Sequence, residues 1–120
     1  MSDILDVLGD QSALTRTQLE TVKIHLALRK SAISLDEALK IRKIGGISRG
    51  THYRILNQAR KNVRESVFTV AAMVQMGIAR PEDLQRLLAL MSTMPPEVAE
   101  DRLQEFTAIV GALVDRIVML

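Results

Sequence analysis

Apolar residues in this chain recur at helical spacing, and glycines, prolines and capping residues cut the pattern into helix-length pieces. No stretch alternates with the period of two expected of a half-buried strand, so the predicted fold class is all-α. Ile4, Leu5, Val7 and Leu8 suit a short opening helix before Gly9. A second helix is expected from about Arg16 to Lys30, capped by Thr15, with Leu19, Val22, Leu26 and Ile33 inward and His25 one step off that line. Ser34 starts a third. Glu37 stands at capping-box spacing, and Leu35, Ala38, Leu39 and Ile41 form the buried side until Gly45 and Gly46 stop the helix.

Ile47 leads into a fourth start, with Ser48 as the cap and Thr51 at the third helical position. Nothing interrupts the pattern until Gly77, which predicts a helix of about 28 residues, long beside the usual ~11 to 12. Arg80 and Pro81 open a fifth, where the missing N–H of proline costs nothing and Glu82 and Asp83 face the positive helix end. Leu84, Leu87, Leu88 and Met91 give its apolar side. Pro95 and Pro96 close it and launch the last helix, in which Ala99, Leu103, Phe106, Val110, Leu113, Ile117 and Leu120 recur at spacings of 4, 3, 4, 3, 4 and 3. That is a heptad seam. A second apolar set, Ile109, Val114 and Val118, exceeds what one neighbouring helix covers, so the segment is expected to pair with another copy. Val70, Val74, Leu103, Phe106, Val110, Leu113, Ile117 and Leu120 are the expected dimerisation residues.

Charge divides the same pattern in three. Residues 1–14 carry a net −3, residues 15–64 twelve bases against three acids for +9, and residues 65–120 a net −4. The expected organisation is a short acidic N-terminal segment (1–14), a basic head (15–64) and a helical oligomerisation segment (65–120). An anion is the natural partner of the head.

Two helices joined by a glycine turn, the second opening Ser48-Arg49-Gly50-Thr51, are the parts of a helix-turn-helix, whose second helix enters the major groove. With His52, Ile55, Leu56, Ala59 and Val63 turned inward, the opposite face carries Gly50, Arg54, Asn57 and Lys61, flanked by Tyr53 and Gln58. Base edges are read by Arg, Asn and Gln, with Ser and Thr in support. Arg49, Gly50, Thr51, Tyr53, Arg54, Asn57 and Gln58 are therefore the candidate base readers. Gly50 costs about 1 kcal/mol of helix stability relative to Ala; close approach of the backbone to DNA would compensate, and plain flexibility explains it equally well. Arg29, Lys30, Lys40, Arg42, Lys43, Ser48, Arg60, Lys61 and Arg64 are the candidate phosphate contacts, joined by Arg16 at the edge of the head.

Ile47-Ser48-Arg49, followed by Ile55, Ala59, Val63 and Arg64, resembles the recognition helix in the promoter-reading domain of bacterial sigma factors and related regulators, over about 30 residues of the 120. The resemblance implies a helix-turn-helix fold in which the capping Ser48 meets phosphate and Arg49, Gly50, Thr51, Tyr53 and Arg54 approach bases. It also implies the transcription machinery as a further partner.

Composition narrows the class further. Hydrophobic residues make up 48% of the chain, yet there is no Trp, one Tyr and two Phe, so the core is aliphatic, as packed helices allow. With no cysteine there is no disulfide, thiolate nucleophile or cysteine-bound zinc. No signal-peptide pattern and no apolar run of ~20 residues occurs, which predicts a cytoplasmic, nucleoid-associated protein without a membrane partner. Phosphate-binding glycine loops, nucleophile elbows and metal motifs are missing. His25 and His52 lack the carboxylates that a metal site would need. Glu97, Glu100, Asp101 and Glu105 follow a helix start, where acids are favoured without catalysis. Met73, Met76, Met91 and Met94 suit core filling better than a ligand surface. No enzyme, cofactor or metal is expected. The predicted function is sequence-specific binding of double-stranded DNA by a dimeric transcriptional regulator; the alternative is a non-enzymatic helical adaptor whose basic head meets an acidic protein surface or RNA.

Overall fold

Six helices, α1 (Ile4–Asp10), α2 (Arg16–Lys30), α3 (Leu35–Lys40), α4 (Arg49–Gln75), α5 (Pro81–Thr93) and α6 (Glu100–Ile117), account for most of the computed structural model, which describes residues 2–30, 34–40 and 47–118. The fold is all-α, with one addition. Ser2–Asp3 (β1) pairs antiparallel with Glu97–Val98 (β2), Ser2 opposite Val98 and Asp3 opposite Glu97. Pro95 and Pro96 hold the chain extended just before Glu97. The last helix thus starts after this pairing and not directly after the prolines. A two-residue backbone pairing leaves no trace in hydrophobic periodicity.

The chain forms two compact units, one of Gly9–Glu65 and one of Met1–Leu8 with Ser66–Leu120. The first holds twelve bases and five acids, net +7, and the second four bases and nine acids, net −5.

In the Gly9–Glu65 unit, α2 opens with a reciprocal capping box. The Thr15 hydroxyl accepts from the Gln18 N–H, and Gln18 Oε1 accepts from the Thr15 N–H, both at 3.1 Å. Gln18 Oε1 also accepts from Asn62 Nδ2 at 3.1 Å, which ties α2 to α4. Ser34 caps α3 through the Glu37 N–H at 3.2 Å, as its spacing predicts. Among the described residues, the buried side chains are Thr21 from α2, Ala38 and Leu39 from α3, and His52, Leu56 and Ala59 from α4.

The inward face of α2 differs from the hydrophobic reading. Leu26 is 45% exposed, whereas Thr21 is fully buried and Gln18, His25 and Leu28 on its line are half-buried. Thr21 satisfies its hydroxyl by donating to the Thr17 carbonyl at 2.7 Å, so a polar side chain can take the inward position at little cost. Val63, one turn beyond Ala59, is 46% exposed, because the groups covering Ala59 do not reach it. Ile33, Ile41, Gly45 and Gly46 lie outside the described residues, and so does the glycine turn they were expected to make.

In the other unit, the Asp3 carboxylate caps α1 through the Leu5 N–H at 2.8 Å, and the N–H of buried Ile4 donates to the Pro96 carbonyl at 3.0 Å. α1 runs on through Gly9 to Asp10. α4 ends two residues before Gly77, whose φ of 77° is the left-handed conformation that glycine tolerates. Gly77 N–H donates to the Val74 carbonyl and Ile78 N–H to the Met73 carbonyl, each at 3.0 Å, the paired bonds of a Schellman stop. α5 begins with Pro81 at its first turn, as expected, and packs on α6.

Asp83, in the first turn of α5 as expected, is buried. Its carboxylate accepts from Arg86 at 3.3 Å on the same helix and pairs with Arg116 of α6 at 3.5 Å. Burial is tolerable because the charge is paired and sits near a helix N-terminus. Leu88, expected inward, is 64% exposed; it lies a further 100° round the helix from Leu87, past the side that meets α6. Among the described residues, no helix is long and apolar enough to cross a membrane.

Candidate nucleic-acid interface

The site is built on the first four turns of α4. Ser48 stands at its start, with its hydroxyl accepting from the Thr51 N–H at 3.1 Å and donating to the Thr51 hydroxyl at 3.0 Å. This is the predicted cap, and it fixes the first turn. His52, Leu56 and Ala59, at spacings of 4 and 3, bury one side of the helix, and Ile55 is half-buried beside them. The His52 ring meets the Tyr53 ring edge to face with centroids 5.4 Å apart, which steadies Tyr53 at the border between buried and exposed surface. The Asn62–Gln18 bond anchors the helix to α2 two turns after Leu56.

With that side buried, the opposite one faces outward. Gly50, Arg54, Asn57 and Lys61 are exposed, and at 100° per residue they fall within an arc of about 60°. Tyr53, Gln58 and Arg49 are exposed on its flanks. Thr51 is the exception among the candidate base readers: it is half-buried and its hydroxyl is engaged by Ser48. Neither Arg49 nor Arg54 has an acidic partner among the described residues. Asn57 Oδ1 accepts from Arg60 Nη1 at 3.0 Å, and Lys61 lies 3.9 Å from Glu65 one turn on. Both contacts are solvent-exposed and hold little free energy, so a ligand with stronger acceptors can displace them.

Of the candidate phosphate contacts, Arg29 and Lys30 are exposed in the last turn of α2, Lys40 at the end of α3, and Arg60, Lys61 and Arg64 along α4. Arg42 and Lys43 lie outside the described residues. Arg16 sits 3.8 Å from Asp10. The exposed N-terminus of α4 adds the positive end of a long helix dipole to the +7 of the unit.

The expected dimerisation residues separate into two groups. Phe106 and Ile117 are 6% and 7% exposed in the single chain, and Leu103, Val110 and Leu113 on the same line are half-buried. The α6 seam therefore faces its own unit: helices packed in a bundle repeat near 3.5 residues just as coiled coils do, so spacing alone does not separate the two. Val70 is 40% exposed, Val74 is half-buried, and Leu120 lies outside the described residues.

Two features of the site escaped the hydrophobic pattern. The Thr15–Gln18 box was present in the sequence as a Thr followed three residues later by Gln. Asn62 had no such signal, since its partner is 44 residues away.

No family model, curated protein or solved structure matches the chain. The likeness to the sigma-factor recognition helix rests on residues of the α4 region alone.

Proposed function

We propose that the chain binds double-stranded DNA in the manner of a helix-turn-helix protein, laying the exposed face of α4 in the major groove and acting as a self-associating transcriptional regulator. One observation carries this reading: the side of α4 opposite His52, Leu56 and Ala59 is open to solvent and carries Arg54 and Asn57 on the +7 unit. Arg54 is suited to the O6 and N7 of guanine, and Asn57 to the N6 and N7 of adenine once Arg60 swings from its amide to a phosphate. Tyr53 and Gln58 add contacts at the edges of the groove. The likeness of Ser48-Arg49 and the residues after it to promoter-reading helices supports the same placement. Function on this reading is occupancy of a site, with the transcription machinery as the partner that occupancy affects.

Affinity comes mainly from phosphate neutralisation. If the six exposed cations Arg29, Lys30, Lys40, Arg60, Lys61 and Arg64 act together, the slope of log affinity against log salt is expected near −5 per bound head. Fluorescence anisotropy of a labelled duplex across a salt series measures it. A slope shallower than about −1 contradicts phosphate-driven binding.

A further inference from the structure

Ten consecutive residues of α4, from Val63 to Ala72, are exposed on every side of the helix. From Ser66 to Ala79 the chain holds no charged residue. Helices that are apolar all round are ordinarily buried, yet Val67 is 64% exposed, Phe68 62% and Val70 40%. Val63, Val67, Val70 and Val74 recur at spacings of 4, 3 and 4, the seam of a heptad.

We propose that this band is covered by a second copy of the chain, the two α4 helices packing along Val63, Val67, Val70 and Val74. The inference deepens the self-association in the reading above and does not depend on DNA binding. Three observations select the occupant. An uncharged band offers nothing to an acidic or a basic partner, while the same band set against itself meets no like-charge repulsion, as a two-fold interface requires. The seam of α6 is already used within its own unit, since Phe106 and Ile117 are buried there. Finally, Val63, Val67 and Val70 of the seam are 46%, 64% and 40% exposed, apolar surface that each copy would bring to the pair.

The test is the mass of the full chain in solution without DNA, by sedimentation equilibrium at tens of micromolar. Twice the chain mass is expected, persisting at about 1 M sodium chloride because apolar contacts are not screened. Val67→Glu with Val70→Glu, both at exposed positions, is expected to weaken self-association on the order of 100-fold, with helicity by circular dichroism unchanged. Thr69→Glu, on the far side of the helix, is expected to leave it intact. As the chain has no cysteine, Val67→Cys with a short bis-maleimide gives a second, independent readout: a covalent dimer is expected at Val67 and none from Thr69→Cys. A monomer at every concentration overturns the proposal, as does a dimer indifferent to both seam charges. An assembly that dissolves with salt overturns it too, because that is head-to-tail attraction between the +7 and −5 units.

Discussion

Replacing Arg54 and Asn57 together by alanine is expected to weaken binding to the preferred duplex by on the order of 100-fold or more, since each bidentate base contact discriminates by about 1–3 kcal/mol. Discrimination between duplexes should fall with it, because the remaining contacts are to phosphate and carry no sequence information. The fold should not change. Both side chains are exposed, and surface substitutions of this kind ordinarily alter stability by no more than about 0.5 kcal/mol. Arg60→Ala is the informative contrast. It removes the cation now bonded to Asn57 and should weaken all duplexes alike, reducing the salt slope by about one. Anisotropy with a preferred and a scrambled duplex separates the two patterns. Equal weakening on both duplexes by the Arg54 and Asn57 pair would remove the base-reading role from this face.

Phe106→Ala is expected to cost about 3–5 kcal/mol of folding stability, a large share of the ~5–15 kcal/mol that a domain possesses. The ring is 6% exposed within a single chain, on the helix that packs against α5. Its loss should lower the urea midpoint relative to the unsubstituted chain by a similar amount at low and at high protein concentration. Had Phe106 belonged to an intermolecular seam, the variant would instead dissociate while remaining helical, and its shortfall against the unsubstituted chain would grow with concentration, because mass action stabilises only the associated form. Chemical denaturation at two concentrations tenfold apart distinguishes the outcomes.

The face of Arg54 and Asn57 and the burial of Phe106 also mark what the sequence could and could not reveal. Stops and caps were legible because they act over a few residues: Ser34, Ser48, Gly77 and Pro81 each stand where their chemistry predicts, and the long helix from Arg49 to Gln75 follows from the lack of any stop between them. The outward face of α4 was legible as well, since His52, Leu56 and Ala59 leave only one side open. Which neighbour covers a face is a long-range property. It explains why Phe106 and Ile117 are internal although their spacing suits an external seam, and why Leu26 and Leu88 point outward. Polar residues that complete their hydrogen bonds or ion pairs locally were the other blind spot. Thr21 back-bonds to Thr17, and Asp83 gathers Arg86 and Arg116, so both sit inside where hydrophobicity alone would not place them.

Self-association and base reading would combine in one molecule, with Arg54 and Asn57 near the start of α4 and the uncharged band from Ser66 onward beyond its middle. Paired heads bind a duplex with twice the phosphate contacts, which steepens the salt dependence and favours sites with two-fold symmetry.

The most direct test of the central claim is selection of random DNA duplexes by the purified full chain, followed by sequencing of the retained pool. Enrichment of a defined motif is expected, arranged as two half-sites about one helical turn apart, together with loss of that enrichment in the Arg54→Ala, Asn57→Ala protein. A retained pool no different in sequence from the starting one would contradict the claim.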